Sequence, residues 1–519
     1  MSKTVYDPRQ PGLFKPEATW RPPAGVPNID ELLRSRVIGM DTETRDPNLK
    51  TIGQGWTRGD GEVVGISLAW HGAFDELKSV YLPIGHSGGD NMDPAQVTGF
   101  IIDLMRRYTG RWVLMNGMYD VGWLSTLGAK LNPEAGLWDI GWVEALLNEH
   151  RNSYSLQNIA RYHELEGKDE ALLEQAAWSY GVDPKGGLHM LPARYVGPYA
   201  EQDALLPVRI YYQQLRDAES EQLQKVIDLE HSIFPCLLEM KRRGVRVNIA
   251  KAETLKARWL ADKDRHVQEI KRITGIQVDV FSAASCALAF DEQNIEYRRT
   301  GRGIPSFTEE WLSSHPSELA KLITLARKRD KAANTFCQSM IIDHAHNGRI
   351  HCDFHPLRSD EGGAVSGRFS CSNPNLQQVP ARDPEIGPAI RDCFEPEEGE
   401  EWAAVDYSQQ EPRLQVHYAE ERGCARGAEV AQRYRDNPDT DYHNLVAELA
   451  FGSGFTSKDR KNAKTINLGL AYGMGGPKLC TKLGLPTKQV EGRDGRLRTV
   501  AGDEGQAILD QYFREVPFV

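Results

Sequence analysis

Two carboxylates stand two residues apart in the segment Asp41-Thr42-Glu43. They follow the short apolar run 37–40, which predicts a β-strand. Side chains two apart in a strand point to the same face of a sheet, so both carboxylates can face one divalent cation. Mg²⁺ prefers oxygen ligands and keeps several waters, so a few carboxylates suffice. On its own, the pair is more typical of a solvated strand end.

Two later segments add carboxylates at comparable intervals. Asp120 closes a short run that begins with Asn116, directly after another predicted strand. Tyr199 and Asp203 stand four residues apart in a predicted helix and therefore share one face. Each has a simpler interpretation, with Asp120 as a helix N-cap and Asp203 as a surface charge. The combination of four spaced carboxylates with a tyrosine is what favours a metal site.

The C-terminal half contains a polar, turn-rich segment at 366–380 that includes Arg368. Together with the nearby Arg382, its side chains are typical of a loop that contacts phosphates and bases, although an ordinary surface loop has the same composition. Beyond it, the apolar run 403–405 predicts a strand that delivers Asp406 and passes into a helix. Pro412 fits the first turn of that helix, where its missing N–H matters little.

A further pattern repeats every four residues: Arg460, Lys464, Leu468 and Tyr472 form one slowly drifting stripe on a predicted helix. Such a stripe is unusual for a core face, because buried cations need partners. The segment 457–498 holds ten Lys or Arg and three Asp or Glu within an acidic chain. This face suits a triphosphate and a stacked base, and a solvated basic face is the alternative.

The elements that must position these residues are typical of a mixed α/β sheet covered by helices, followed by a long helical region. Helical periodicity dominates from 202 to 272, with one helix over 221–243 kinked at Pro235. Arg246 begins a short extended link. The remaining predicted strands lie near 63–70, 80–84 and 112–115, and the remaining helices over 93–107, 119–127, 309–338, 441–474 and 504–516.

The composition narrows the class of protein. The chain has 519 residues, 26% charged and 40% hydrophobic, which is an ordinary globular balance and predicts about three domains. A net charge of −11 excludes a nucleic-acid-binding protein whose whole surface is basic, but it does not exclude a local basic site. The sequence predicts no transmembrane helix and no secretory signal. Eight cysteines without a CxxC pair speak against a disulfide framework or a structural zinc site, and we expect a cytoplasmic protein.

The carboxylate segments resemble the three motifs of the DnaQ-like 3′–5′ proofreading exonuclease domain of family-A DNA polymerases, the bacterial and phage DNA polymerase I family. The resemblance implies an RNase H-like fold in which two Mg²⁺ or Mn²⁺ ions activate the nucleophile and stabilise the leaving oxygen. By the same resemblance, Tyr199 orients the attacking water and Asn116 makes a strand-end or substrate contact. The implied metal ligands are Asp41, Glu43, Asp120 and Asp203.

The later segments resemble the polymerase domain of the same family, with motif A at 406–413 and the motif B fingers helix along the four-residue stripe. The resemblance implies that Asp406 is a catalytic metal ligand assisted by the Tyr407 carbonyl, in a type of active site that uses two Mg²⁺ or Mn²⁺ ions. It also implies that Lys464 acts in catalysis and that Glu411 excludes a ribose 2′-hydroxyl. The implied nucleotide-binding residues are Tyr407, Gln409, Glu411, His443, Arg460, Lys464, Leu468 and Tyr472. The implied DNA-binding residues are Arg327, Lys328, Arg329, Lys331, Arg368, Asn375, Gln377 and Arg382.

This resemblance implies a multidomain α/β and α+β protein that replicates DNA. We expect a Pro-rich lead (1–28), an RNase H-like exonuclease domain (29–215), a helical thumb (216–350), a partial palm (351–440) and partial fingers (441–519). Expected partners are primer–template DNA, single-stranded 3′ ends and deoxynucleoside triphosphates, with processivity or single-strand-binding factors and no membrane. The expected location is the cytoplasm of a bacterial or phage-infected cell.

Two departures from the family pattern affect these expectations. Leu468 stands where the family usually has Phe or Tyr, and an aliphatic side chain cannot stack like a ring, so we expect altered nucleotide discrimination. The segment 512–517 resembles the family's YFxxYP segment, and no motif C with a second catalytic aspartate follows it. We therefore expect DNA binding without efficient extension, unless a second polypeptide supplies motif C; a truncated gene and an experimental cut are alternatives. Other candidate functions are a stand-alone exonuclease and a DNA-binding scaffold.

Overall fold

The computed structural model describes residues 15–492 and 496–517, apart from the side chains at positions 449 and 450. The chain forms two compact units that divide after Glu401. Residues 15–28 contain no helix or strand, as predicted for the Pro-rich lead, and residues 1–14 lie outside the described range. None of the described helices is long and apolar enough to cross a membrane. The predicted domain boundaries at 28, 215, 350 and 440 stay predictions.

A five-stranded mixed sheet with the order β3-β2-β1-β4-β5 organises the first part of unit one. The central strand β1 is antiparallel to β2 and parallel to β4. Its strands are β1 (Val37–Arg45), β2 (Glu62–His71), β3 (Leu77–Pro83), β4 (Arg111–Leu114) and β5 (Gly136–Asp139). The surrounding helices are α1 (Ile29–Arg34), α2 (Leu49–Ile52), α3 (Pro94–Arg107), α4 (Gly117–Thr126), α5 (Ile140–Leu147), α6 (Leu156–Tyr162), α7 (Ala171–Tyr180) and α8 (Ala193–Ser220), with 3₁₀ turns at Gly55–Thr57 and Leu188–Met190.

The long helix α8 packs directly on β1, β2 and β3. A glycine makes this approach possible, because a Cβ at Gly39 would lie 2.3 Å from the backbone oxygen of Ala204. The helix also contains Pro198 and Pro207, each of which removes one backbone donor. The close approach brings the middle of α8 against the polar end of β1.

The middle of unit one is helical, but it is more interrupted than the sequence predicts. The prediction of one kinked helix over 221–243 is wrong: two helices meet at Ile233, and Pro235 occupies the first turn of the second. The prediction of one helix over 309–338 is also wrong, because Pro316 interrupts it. The helices are α9 (Gln224–Ser232), α10 (Phe234–Arg243), α11 (Ile249–Thr274), α12 (Ala283–Glu292), α13 (Glu309–Ser314), α14 (Glu318–Asp330) and a π-helical segment, Lys331–Ile342.

The last part of unit one consists of short strands and turns, as predicted. A three-stranded sheet has the order β6-β8-β7, and β9 pairs with β10. These elements are β6 (Val245–Arg246), β7 (Ala345–His346), β8 (Arg349–Ile350), β9 (Asp353–His355), β10 (Ser370–Ser372), a 3₁₀ turn at Leu376–Gln378 and α15 (Ile386–Arg391).

This part is tied to the first sheet through the interior of unit one. The ammonium of Lys241 on α10 is buried and donates to Gln54 Oε1 at 2.7 Å and to the carboxylate of Asp353 on β9. The hydrophobic core under the five-stranded sheet also includes Phe234 and Leu357, which lie outside the segment predicted for that domain.

Unit two is mainly helical around its own core. The prediction of a strand at 403–405 is wrong: residues 402–407 are irregular and exposed, and no strand of the described chain pairs with them. The predicted helix 441–474 is broken at Gly452 and ends at Ala471. The elements are α16 (Gln410–Glu421), α17 (Gly427–Asp436), α18 (Tyr442–Phe451), α19 (Ser457–Ala471), α20 (Gly476–Leu483), β11 (Thr487–Glu491), β12 (Leu497–Ala501) and α21 (Asp503–Glu515).

Candidate active sites

Three of the predicted carboxylates meet where β1 passes under α8. Oxygen atoms of Asp41, Glu43 and Asp203 all lie within 4.8 Å of one another. Asp41 and Glu43 share one face of β1 because they stand two residues apart, and Asp203 reaches them because α8 packs closely on that strand. Such a group of convergent oxygens is the donor set that a divalent cation prefers.

The fourth carboxylate, Asp120, is held beside this cluster by the strand itself. Its Oδ1 accepts hydrogen bonds from the backbone N–H of Thr42 at 2.9 Å and from the Thr42 hydroxyl at 2.7 Å. Asp120 lies in the first turn of α4 and is buried. The adjacent Asn116 takes the left-handed conformation at the N-cap of α4, and its amide donates to the Glu361 carboxylate at 3.3 Å.

Burial governs the protonation of these carboxylates. It raises the pKa of Glu43 to about 8 and that of Asp120 to about 7. Burial, reinforced by the neighbouring carboxylates, also raises the pKa of Asp41. The pKa of Asp203 is raised by burial, even though Lys168 opposes the rise. A divalent cation would favour the ionised forms, because metal ligands must lose their protons to bind.

The residues present fit a metal ion by an independent observation. Glu43 Oε1 is buried and has no hydrogen-bond partner among the described residues. A buried carboxylate oxygen without a donor is costly unless a ligand satisfies it. Asp41, Glu43 and Asp203 are therefore the residues that would hold a divalent cation, with Asp120 alongside.

Tyr199 lies one turn before Asp203 on α8, as the sequence predicts. Burial and the surrounding carboxylates raise the pKa of its phenol far above the usual range, so the hydroxyl keeps its proton. Its hydroxyl accepts a hydrogen bond from the Lys168 ammonium at 3.1 Å. The sequence interpretation missed Lys168, whose signal is slight: it is a single cation within the acidic run 164–170.

In unit two, the residues of the predicted stripe lie along α19 and at its C-cap. Arg460 donates to Asn444 Oδ1 and to Asp441 Oδ2, both at 2.6 Å. Burial lowers the pKa of His443 on α18, and the cations Lys464 and Arg460 lower it further. The N-cap of α19 is Thr456, which forms a capping box with Asp459.

The start of α16 contacts the end of α19. The Tyr472 hydroxyl donates to the Glu411 carboxylate, so these two predicted nucleotide-binding residues touch. Gln409 uses its side chain internally, since its amide donates to the Thr440 carbonyl at 3.0 Å and accepts from the Tyr442 N–H at 2.9 Å. Leu468 is half-buried on α19.

Asp406 and Tyr407 lie in the exposed segment that precedes α16. Val405 is 93% exposed and Tyr407 is 77% exposed. The assignment of these two residues as catalytic metal ligands stays a prediction.

The predicted DNA-binding residues of α14 have mixed environments. Arg327 donates from Nε to the Val280 carbonyl at 2.6 Å and from Nη1 to the Phe307 carbonyl at 2.7 Å. These contacts use Arg327 in packing within unit one, and its contact with DNA stays a prediction. Lys328 pairs with Asp383, Arg329 pairs with Glu385, and Lys331 is exposed.

The predicted DNA-binding loop lies in unit one. Arg368 and Arg382 are exposed. Asn375 caps the 3₁₀ turn by accepting from the Gln377 N–H at 3.1 Å, and the Gln377 amide donates to the Phe369 carbonyl at 2.8 Å. The loop is thus internally ordered, and its contact with DNA stays a prediction.

A five-stranded mixed sheet that carries clustered carboxylates, followed by helical and mixed segments, fits the fold of a multidomain polymerase. A model of DNA polymerase family A matches residues 249–518. The chain is 37% identical to a DNA-directed DNA polymerase of Pseudomonas phage M6 over 520 residues, covering 93% of this chain and 76% of that protein. The chain belongs to DNA polymerase family A.

Two further relatives are also DNA polymerases. DNA polymerase DpoZ of Acinetobacter phage SH-Ab 15497 is 30% identical, over 77% of this chain and 68% of that protein. DNA polymerase I of Pseudomonas aeruginosa is 25% identical over 95% of this chain, which spans 50% of that longer protein. The fold is similar to the POL domain of Pol1 from M. smegmatis, solved in complex with DNA primer-template and dNTP. That similarity has a TM-score of 0.67 at 18% identity and covers 94% of this chain and 74% of that one.

Proposed function

We propose that this family-A DNA polymerase carries a 3′–5′ proofreading exonuclease at the carboxylate cluster of unit one. The observation that carries the proposal is the convergence of Asp41, Glu43 and Asp203 within 4.8 Å, with Glu43 Oε1 buried and without a partner in the described chain. Hydrolysis of a phosphodiester needs charge stabilisation at both the attacking and the leaving oxygen, and clustered carboxylates supply it through bound cations.

The roles of the residues follow from their environments. Divalent ions held by Asp41, Glu43 and Asp203, with Asp120 beside them, would supply Lewis-acid stabilisation of the attacking and leaving oxygens. Tyr199 keeps its proton, so it positions an attacking water or a phosphate oxygen as a hydrogen-bond donor and does not act as a base. Thr42 keeps Asp120 in register with the other carboxylates.

For unit two, we propose that α19 and the start of α16 bind the incoming deoxynucleoside triphosphate. The hydrogen bond from the Tyr472 hydroxyl to Glu411 places an aromatic ring beside a carboxylate, an arrangement that suits a base and a sugar. Lys464 is exposed on the same helix as Arg460, where both can meet phosphates. Asp406, with the Tyr407 carbonyl, is the proposed metal ligand of this second site, and Mg²⁺ is the proposed ion at both sites.

Primer–template DNA and single-stranded 3′ ends are the proposed substrates. The relative from M. smegmatis was solved with primer–template and nucleotide, which supports this proposal for the present chain. The exposed cations Lys331, Arg368 and Arg382 are the proposed phosphate contacts, since such contacts make binding sequence-independent and salt-sensitive.

The test is a primer assay with the purified chain, Mg²⁺ and a 5′-labelled primer on a template. Without nucleotides, we expect stepwise shortening of the primer, which disappears in the variant Asp41→Ala with Glu43→Ala while DNA affinity is retained. Shortening that persists in this variant would assign the activity to another site or a contaminant. Absence of shortening in the wild type would favour the DNA-binding scaffold.

Adding all four deoxynucleotides to the same assay tests the polymerase site. Extension that is lost in Asp406→Ala supports Asp406 as a catalytic residue. Shortening without extension favours the alternative of an exonuclease with a DNA-holding region. The second polypeptide that would supply motif C stays a prediction, and the assay with deoxynucleotides tests whether the chain needs it for extension.

A further inference from the structure

Lys168 places a buried ammonium against the carboxylate cluster of unit one. Its Nζ lies 2.6 Å from Asp203 Oδ1 and donates to the Tyr199 hydroxyl at 3.1 Å. The ammonium also lies 4.4 Å from the centre of the Tyr199 ring. The side chain of Lys168 is only 11% exposed, so its ammonium is largely shielded from solvent and depends on the carboxylate cluster for stabilisation.

The segment around Lys168 is fixed in place from both sides. The Lys168 N–H donates to Gln157 Oε1 at 2.9 Å, and the Asp169 N–H donates to Gln202 Oε1 at 2.8 Å. A Cβ at Gly167 would lie 2.1 Å from the Gln157 amide nitrogen, so a side chain there would displace the amide that holds Lys168. Lys168 is therefore held by α6 and α8, unlike a mobile surface lysine.

The contacts assign two effects to this ammonium. The Lys168–Asp203 ion pair is short, but Asp203 Oδ1 accepts no aligned hydrogen bond among the described residues, so this oxygen keeps a lone pair that a cation can use. A divalent cation that takes this lone pair must approach the lysine charge. A lysine can only donate, so Tyr199 must direct its own proton away from Lys168.

We infer that Lys168 is a positioning residue of this site: it competes with a divalent cation for Asp203 and orients the Tyr199 hydroxyl. In the metal-free protein the ammonium partly neutralises the carboxylates and holds Asp203 and Tyr199 together. A divalent cation held by Asp203 would displace the ammonium from that carboxylate, and the hydrogen bond from Lys168 to Tyr199 would fix the direction of the phenolic proton. The inference about Tyr199 rests on the proposed exonuclease function, whereas the competition for Asp203 does not.

The first experiment measures Mg²⁺ binding to the full chain without DNA, by isothermal titration calorimetry at pH 8.5. We expect Lys168→Met to bind Mg²⁺ about tenfold more tightly than the wild type, because a repelling charge is removed from the ligand oxygen. Lys168→Arg should stay near the wild type. The matched control is Lys185→Met, because Lys185 is 69% exposed and pairs with Glu170 at 3.7 Å, and we expect it to change binding less than twofold.

The second experiment measures exonuclease rates of the same variants. Lys168→Met should lower kcat about tenfold with KM nearly unchanged, and the loss in Lys168→Met with Tyr199→Phe should be smaller than the product of the two single losses. Tighter metal binding together with slower hydrolysis is a combination that a merely misfolded variant would not give. Thermal melting of each variant provides the check on folding.

The outcomes separate this inference from the proposed function. Mg²⁺ affinity that is unchanged or weaker in Lys168→Met overturns the competition, and independent losses in the double variant overturn the role through Tyr199. If the wild type degrades no DNA but Lys168→Met binds Mg²⁺ more tightly, the exonuclease proposal fails and the competition stands.

Discussion

Thr42 binds Asp120 twice, with its backbone N–H at 2.9 Å and its hydroxyl at 2.7 Å, both to the same carboxylate oxygen. Thr42 lies between Asp41 and Glu43 on β1, and it thus fixes the carboxylate of Asp120 on α4. Strand and helix α4 are joined at the site by this pair of hydrogen bonds, so the geometry of four carboxylates depends on a threonine that offers no metal ligand of its own.

Thr42→Val removes the hydroxyl and keeps the shape of the side chain. A hydrogen bond to a charged group contributes about 1.5–3 kcal/mol, so we expect exonuclease kcat to fall at least about tenfold. Thr42→Ser should restore most of the rate. Thr126→Val is the matched control, because Thr126 lies on the same helix as Asp120 and its hydroxyl donates only to a backbone carbonyl. Equal rates for Thr42→Val and the wild type would show that Asp120 needs no such support.

Gly39→Ala tests the close packing of α8 on β1. The new Cβ would lie 2.3 Å from the Ala204 oxygen, so the helix must move away from the strand. Overpacking of this kind costs about 1–3 kcal/mol, and the shift should weaken Mg²⁺ binding because Asp203 moves with α8. Calorimetric melting and Mg²⁺ titration measure both effects.

The control for this change is Gly99→Ala on α3, where an added Cβ meets no atom within 4 Å. Alanine is favoured over glycine inside a helix by about 1 kcal/mol, so this control should melt at a slightly higher temperature. Destabilisation of both variants to the same extent would contradict the explanation by close packing.

The buried His86 should lower the stability of the folded protein in mild acid. Burial lowers the pKa of His86 to about 4; its Nδ1–H donates to the Leu191 carbonyl, and its Nε2 accepts from the Tyr81 hydroxyl. The folded-state pKa lies below the unfolded value, so the unfolded chain binds more protons between pH 6.5 and 4. The contribution of neutral His86 to the free energy of unfolding is complete above pH 6.5. Below that pH it falls by about 1.4 kcal/mol per pH unit.

The measurement compares wild type and His86→Gln by calorimetry at pH 7.5 and 5.5. We expect the stability difference between the two proteins to shrink by about 1.4 kcal/mol at the lower pH. Taking the difference removes the opposite effect of the buried carboxylates, whose raised pKa values stabilise the fold as the pH falls. His150→Gln, at a histidine that is 77% exposed, should show no such change.

Arg327 and Lys331 should behave differently although they lie four residues apart. Arg327→Ala should destabilise unit one by about 2 kcal/mol, because it removes two charge-assisted hydrogen bonds to backbone carbonyls. Lys331→Ala should leave stability unchanged and lower the salt dependence of DNA binding by about one ion. Binding titrations over a range of salt concentrations, with melting of both variants, distinguish the roles. A stable Arg327→Ala variant with a reduced salt dependence of DNA binding would support the predicted contact of Arg327 with DNA.

Leu468→Phe tests the family departure on α19. A ring can stack on a base or sugar where a leucine cannot, so we expect changed discrimination among nucleotides and faster insertion. Single-nucleotide insertion kinetics, with nucleotide affinity measured in parallel, provide the comparison. Leu497→Phe, at a position 72% exposed on β12, serves as the control. Kinetics indistinguishable from the wild type would mean that this position does not contact the nucleotide.

Local spacing predicted much of the candidate exonuclease site. Asp41 and Glu43 share a face because strands repeat every two residues, and Tyr199 and Asp203 share one because helices return after about four. The sequence could not indicate Lys168, because an irregular segment places it, and only the packing of α6 and α8 defines where that segment lies. Four of the five strands of the sheet and the helical character of the region after it followed the same periodicity and were predicted, whereas the short strand β5 was not.

The errors have physical causes as well. Residues 403–405 are apolar enough for a strand, but a strand needs a hydrogen-bonding neighbour, and the described chain provides none. The contacts of Arg327 could not be predicted from local spacing, because its side chain donates to carbonyls 20 and 47 residues away, and its contact with DNA stays a prediction. Pro235 stands in the first turn of a new helix where a kink was expected, because a proline is tolerated there. Pro316 lies between two helices where one continuous helix was expected, because a proline interrupts a helix interior.

The buried contact of Lys241 with Gln54 and Asp353 has a consequence for how this protein can be divided or recombined. An excised fragment ending near residue 215 would lose Phe234 and Leu357 from its core and leave Gln54 without its cation. Such a fragment would expose apolar surface and fold poorly, so exchange of the exonuclease segment between homologues is constrained. A chimaera that folds would have to take the segments near residues 54, 241 and 353 from the same parent protein.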